Sequence, residues 1–471
     1  MLPRSESVEQ LLSVEDGAAE VLFAAPEDDD LPLWPRVRMA FANALTASEL
    51  GDVGVTATAD PWAVRRRLAR AMLPSGLDVA SLRGARPFLF LMGGSTVHLA
   101  DGRQRNWLAD PLLDGVDGRA HLVQWRPFAA KPAFRGARSL DPMMARVDWL
   151  AHRRKLSPAR LARIDELVSA YAALFDGAVS PARLDGIRAV TRRAETLRPL
   201  IHTEIERMLD RTRPSTVIME DASYGERGSL ISVMKDRGIR VVEPQHGWIG
   251  PSHAAYNFGA AMSAPRMSAQ LPDELLTFGT FWSEGLRHPA IFTTIGKPHL
   301  EQAAASAAPF EDRPRQFLVA SSVAAPDESA AFVLALRDAL PGWTVLFRPH
   351  PSERTTLAAR YPALVNAERV RIDMRGDVYE TLAEVRAVAG TASTVLFEAA
   401  RFGVHVFVRR SPFTDYYVGE VFGRPLEDGE APAIIASRVD TPPEGALTIA
   451  PESLWARNAA EAFRLWADAR P

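Results

Sequence analysis

The sequence contains no cysteine. That absence removes disulfides, thiolate nucleophiles and Cys-ligated zinc together, and it fits a reducing compartment. An excess of positive charge is also missing: 55 Lys and Arg stand against 58 Asp and Glu, for a formal net charge of -3. Proteins that live on DNA or RNA use surplus Lys and Arg to displace counterions, so the expected partners include no nucleic acid. No charge-free apolar run reaches membrane-spanning length. The stretch 247–265 lacks charge, but its His253, Asn257, glycines and prolines would be costly in a bilayer core. No basic segment followed by an apolar one opens the chain, so no secretory signal is expected and the expected location is cytoplasmic. GxSxG, HExxH and GxxxxGK[ST] are absent, which removes support from hydrolase elbows, zincins and P-loop enzymes. There is no internal repeat and no low-complexity tract.

What is present is an ordinary globular composition, 47% apolar and 24% charged, over 471 residues. That length exceeds one ordinary hydrophobic core, so two domains are expected. In the first third, 21–25 reads as a strand, 62–73 as a helix with Arg65, Arg66, Arg67 and Arg70 on its polar side, 88–92 as a buried strand ending in Gly93-Gly94, and 121–125 as another strand. Ser157-Pro158 and Ser180-Pro181 are helix starts, with Ser as cap and Pro at the first helical position. The second of these helices meets Pro199, where a kink is expected. From Ser215 a βαβ rhythm begins: strand 216–219, helix 228–237, strand 239–243. A second series follows: strand 317–320, helix 329–340, strands 343–347, 370–373, 387–389 and 404–408, and a final helix over 451–469. Proline punctuation places the boundary between Ala264 and Arg315. The expected division is an acceptor-binding domain over 1–265, a connecting segment over 266–314, a nucleotide-sugar domain over 315–450 and a C-terminal helix over 451–471.

Four short segments carry residue types suited to chemistry. Arg348-Pro349-His350-Pro351 follows a strand, where ligands of open α/β sheets gather. Guanidinium and imidazole donate to phosphate oxygens, and the prolines stiffen the loop. The alternative is a turn with one exposed His. Gly390-Thr391-Ala392-Ser393-Thr394 lies between strand and helix. Small residues admit a ligand close to the backbone, and the helix start offers free N–H groups. Ser393 and Thr394 add hydroxyls, and Glu398, about one turn on, suits ribose hydroxyls; an ordinary helix cap is the competing account. Ser321 and Ser322, after strand 317–320, complete the donor set. In the first domain, Glu243-Pro244-Gln245-His246-Gly247 offers His246 as a base or a phosphate partner. Glu220-Asp221-Ala222-Ser223 offers a carboxylate base toward an acceptor hydroxyl. Asp28-Asp29-Asp30 reads as a solvated loop rather than a metal motif, and the Arg65–Arg70 cluster as a solvated helix face, with peripheral contact to an anionic membrane as its alternative.

These motifs together resemble a family. The segment 217–247, with Glu-Asp after one strand and Gln-His-Gly after the next, looks like bacterial surface-polysaccharide glycosyltransferases. The Arg348–Pro351 and Gly390–Thr394 segments are similar to the His-Pro and Ser/Thr motifs of bacterial sialyltransferases and polysialyltransferases, and related features occur in capsule Kdo transferases and CDP-glycerol glycerophosphotransferases. Gly296-Lys297-Pro298 looks like the family's link before the donor domain. The resemblance covers about residues 215–420. It implies a GT-B fold: two Rossmann-like α/β domains with parallel sheets facing an interdomain cleft, and a C-terminal helix returning to the first domain. It also implies a nucleotide-sugar co-substrate with no tightly bound cofactor or metal, and an oligosaccharide, polysaccharide or glycolipid acceptor. His350, Ser393 and Thr394 would meet the donor phosphate, with Asp221 or Glu220 as base and His246 as its rival. Ala222 stands where the sialyltransferase pattern has Gly. Rival activities on this fold are UDP-sugar 2-epimerisation and CDP-glycerol phosphotransfer; a non-catalytic nucleotide-binding module of polysaccharide assembly is the rival of another class.

Overall fold

The computed structural model describes residues 2–27, 30–50, 69, 76–99, 101–116, 118–321, 323, 325–443 and 447–470. The expected helix 62–73, apart from residue 69, lies outside the described residues, as do the arginines of its Arg65–Arg70 cluster, Asp28, Asp29 and Ser322.

The first domain carries β1 (Phe88–Met92), the hairpin β2 (Thr96–His98) and β3 (Gln104–Asn106), β4 (Ala120–Gln124), β5 (Arg138–Ser139), β6 (Thr216–Met219), β7 (Arg240–Pro244), β8 (Glu274–Thr277) and β9 (Ile291–Thr294). Seven of these form one parallel sheet in the order β5-β4-β1-β6-β7-β8-β9. The second domain carries β10 (Gln316–Ala320), β11 (Thr344–Arg348), β12 (Val370–Ile372), β13 (Ala387–Gly390) and β14 (His405–Val408), parallel in the order β12-β11-β10-β13-β14. Strands buried on both faces need apolar residues at every position. β1, FLFLM, meets that need: Leu89 and Leu91 pack under helices Asp141–Ala151, Pro181–Thr212 and Gly228–Asp236, while Phe88, Phe90 and Met92 face the opposite layer.

That opposite layer includes the chain's end. Phe463, Trp466 and Ala467 of helix Ala459–Asp468 pack on Phe88, Phe90 and Ile218, so the C-terminal helix returns to the first domain. Two parallel α/β sheets in this arrangement make a GT-B architecture. A continuous apolar cluster joins the halves, combining Tyr256, Phe278 and Trp282 with Leu318, Val388, Phe397 and Trp455.

Three expectations are corrected. Residues 21–25 form no strand; Ala19–Leu22 is a helical turn, and Leu22 is buried in a cluster of helices. Five apolar residues are too few to reveal a period, so packing decides. The stretch 266–314 is not simply a connector: β8 and β9 are hydrogen-bonded into the first sheet, and the chain passes between sheets after Thr294. The final helix is split, because Asn458 is left-handed (φ 57°) and Trp455 extended between helices Pro451–Leu454 and Ala459–Asp468. Helix Pro181–Thr212 runs through Pro199 without interruption.

Candidate functional site

Strand order locates the two places where a ligand can enter. In the first sheet the chain moves from β1 outward to β4 and β5, then returns to lay β6 on the other side of β1. In the second it moves from β10 to β11 and β12, then returns to lay β13 on the other side of β10. At such reversals the loops beyond the strand ends diverge and leave a crevice. The first crevice is flanked by Gly93 and Glu220-Asp221, the second by Ser321 and Thr391. Loops from these edges touch across the domains. Trp248, just past the His246 loop, donates from Nε1 to the Tyr417 carbonyl (2.8 Å), with ring centroids 4.3 Å apart. Gly376, beyond β12, lies against the His98 backbone of the β2–β3 hairpin.

Asp221 sits in the left-handed region at φ 61° and ψ 28°. A non-glycine residue held there stores strain that its surroundings must offset. Glu220, immediately before, provides one anchor: its buried carboxylate accepts from the Gly93 amide (2.6 Å) and Ser95 Oγ (2.5 Å). Expected as a candidate base, Glu220 instead ties β6 to the loop after β1. Asp221 keeps a third of its side chain exposed and lies 3.2 Å, Oδ1 to Nε2, from His246. The two rival bases are one pair. A proton on Nε2 suits this contact and leaves Nδ1 as an acceptor; Nδ1 is buried and has no partner among the described residues. Arg227 stands 3.8 Å from Asp221 Oδ2 and donates to the Glu220 carbonyl (2.5 Å).

Beneath this pair lies a polar cluster. Glu243, on β7, is fully buried, and burial pushes its carboxyl up to about 7 against the opposing charge of His246 and hydrogen bonds from Ser223 and Tyr256. His253 and His288 are held neutral by burial, both down to about 3. The Tyr224 ring lies 5.9 Å from the His246 ring, and its hydroxyl is 3.2 Å from His253 Nε2.

On the donor side the expected residues divide. His350 and Ser393 lie at the same edge of one sheet, past β11 and β13 on either side of β10. His350 is exposed; its Nδ1 meets Ser352 Oγ (2.7 Å), and its amide donates to Glu353 (2.9 Å). Gly390 closes β13 and Thr391 follows it, and Ser393 caps helix Thr394–Ala399 by accepting from the Val395 amide (3.3 Å). Three others are engaged within the protein. Arg348 donates to Asp373 (2.6 Å) and the Arg375 carbonyl (3.1 Å), so it braces β11 against the loop after β12. Ser321 donates to the buried Glu353 (2.6 Å), which Tyr361 and Arg360 also hold. Burial would raise the Glu353 carboxyl, but these donors and the His350 amide keep it below its usual range. Glu398 accepts from Lys297 Nζ (2.5 Å) and the Tyr379 hydroxyl (3.0 Å), both on Oε1.

Several residues of the site carry no motif of their own. Lys297 lies 4.5 Å from the Trp107 ring and 4.9 Å from the Phe278 ring while pairing with Glu398, so it bridges the domains. Only the Gly296-Lys297-Pro298 segment hinted at it. Arg126, past β4, is exposed beside Gly94 and has no ion pair among the described residues. Glu243 lay within a recognised segment, but nothing local assigned it a partner. No group of His, Asp or Glu suited to a metal is found among the described residues, and no described helix is long and apolar enough to cross a membrane.

No family model and no curated protein matches the chain. Among solved structures it is similar to UDP-GlcNAc 2-epimerase from Neisseria meningitidis bound to UDP-GlcNAc, at 10% identity and TM-score 0.45, covering 81% of this chain and 98% of that one. It is similar to UDP-GlcNAc 2-epimerase from Methanocaldococcus jannaschii at 10% identity and TM-score 0.42, covering 81% and 99%. It is also similar to MurG from Acinetobacter baumannii at 10% identity and TM-score 0.36, covering 80% and 94%. The architecture rests on the strand order.

Proposed function

We propose that the protein is a transferase that moves a sugar from a nucleotide-activated donor to a hydroxyl of an oligosaccharide, polysaccharide or glycolipid, with inversion. The observation that supports it most is the Asp221–His246 pair, at the reversal point of one sheet and one loop away from contact with the other domain.

In this reading Asp221 takes the proton of the acceptor hydroxyl as that oxygen bonds to the anomeric carbon. The bond from that carbon to the donor phosphate breaks, and its electron pair leaves on the phosphate. His246 donates to Asp221, orients it and shares the proton afterwards. The leaving nucleotide is met by His350, the hydroxyls of Thr391 and Thr394 and the Thr394 amide at the start of helix Thr394–Ala399. Arg126 would receive an anionic group on the acceptor. Such acceptors belong to cell-envelope or capsule assembly, at the cytoplasmic face of the membrane.

The test is thermal-shift screening against CMP, CDP, UMP, UDP and GDP, followed by turnover of the matching nucleotide sugar. A ligand at about 100 times its Kd adds about 2.7 kcal/mol of apparent stability, so a selective nucleotide names the donor class. Release of that nucleotide only when a glycan acceptor is present supports transfer. Conversion of the donor alone to its epimer, or CMP release from CDP-glycerol, overturns it in favour of those reactions. Binding without turnover across many acceptors leaves a sensing module.

A further inference from the structure

We propose that Glu243 is the positioning residue of the site: one buried carboxylate that ties the Asp221 loop to the strand bearing His246 and fixes the pair in register. The proposal deepens the transferase reading and rests on it for the pair's role, but the geometry that motivates it does not.

Glu243 lies on β7, three residues before His246, and Ser223 lies two residues after Asp221. The Glu243 carboxylate accepts from the Ser223 amide (2.8 Å), the Ser223 hydroxyl and the Tyr256 hydroxyl (2.9 Å). A single side chain on one member's strand therefore grips the other member's loop. With Glu220 anchoring the residue before Asp221, Glu243 anchors the turn after it, and the left-handed Asp221 is held from both sides.

The polarity of the cluster is set by its ends. His288 Nδ1 accepts from the Ala290 amide (2.9 Å), so its proton resides on Nε2, which faces Ser223 Oγ at 3.0 Å. Ser223 accepts there and donates its own hydrogen to Glu243. Glu243 thus meets only donors, which favour the carboxylate and oppose the burial that raises it. Among the described residues no Lys or Arg pairs with it. The charged groups around it are His246 and Asp221 on the neighbouring loops, with Arg227 beside Asp221, and Arg38 behind Phe258. Tyr224, Tyr256, His253 and His288 complete the surroundings. His246 is the imidazole whose charge acts on Glu243.

The experiment follows His246 by NMR, with labelled imidazoles assigned through His246→Gln, in the full chain and in Glu243→Gln. Loss of the Glu243 anchor frees the Ser223 turn and with it the contact between Asp221 and His246, so the His246 ring resonances are expected to move away from their wild-type positions across the pH series. Should Glu243→Gln fail to fold, Tyr256→Phe is used. It removes one donor, leaves Glu243 less readily charged and moves His246 the same way by less. A superimposable His246 titration in the folded variant overturns the proposal. Nucleotide-induced thermal shifts of the same variant report the donor site separately: they stay as in the wild type if the donor reading holds, whatever His246 does.

Discussion

Asp221 and His246 stand 3.2 Å apart across two loops, and that contact decides what each can do. An aspartate with an imidazole donor on one oxygen keeps the other for a substrate proton. Asp221→Asn is nearly isosteric but cannot accept that proton, so turnover is expected to fall by about 10²- to 10⁴-fold in a steady-state assay. Glu243 adds a pH signature. Its carboxyl titrates near 7 in the fold against an ordinary value of 4.5. Between those values the folded chain holds a proton that the unfolded chain has lost, so this group's contribution to stability falls as pH rises through the window. His253 and His288 act oppositely: neutral in the fold, they make stability fall as pH drops below their ordinary value of 6.5. Glu243→Gln removes only the first effect. Its stability is therefore expected to drop more steeply than the wild type's between pH 7 and 5, by up to about 1.4 kcal/mol per pH unit in urea titrations.

Elements were legible where local chemistry alone sets them. Ser157 and Ser180 do cap their helices, accepting from the Arg160 and Arg183 amides with Pro at the first position. Ser180→Ala is expected to cost about 1 kcal/mol in chemical denaturation. The buried strands β1, β6, β10 and β11 follow from short apolar runs, and β7 from the Val241-Val242 pair in the βαβ rhythm. β9 did not, because as an edge strand it is half exposed, with Ile291 in solvent. The site was legible as a set of strand-end loops but not as a set of contacts. Asp221 finds His246, Arg348 finds Asp373 and Glu398 finds Lys297 only once β-strands far apart in sequence are paired. Nor does sequence reveal why Gly225 is glycine. Its φ is 81°, and a Cβ there would lie 1.9 Å from the Pro35 carbonyl oxygen. Gly225→Ala must displace either helix Trp34–Leu50 or the Asp221 loop. It is expected to destabilise by about 2–4 kcal/mol, measured by urea unfolding.

At the scale of the molecule, the two sheets form one body through a shared core and a buried ion pair. Lys297, 5% exposed, pairs with Glu398 and is ringed by Trp107, Phe278, Tyr379 and Trp455. Removing one partner of such a pair leaves a buried charge uncompensated, so Lys297→Met is expected to cost about 3–5 kcal/mol of global stability. The donor is proposed to bind at the strand ends that carry His350 and Thr394. Calorimetric titration of the nucleotide selected by thermal shift, repeated on His350→Ala and Asp221→Asn, tests this most directly. His350→Ala is expected to weaken binding by about tenfold or more, while Asp221→Asn stays within about twofold of the wild type. Unchanged affinity in His350→Ala would contradict it.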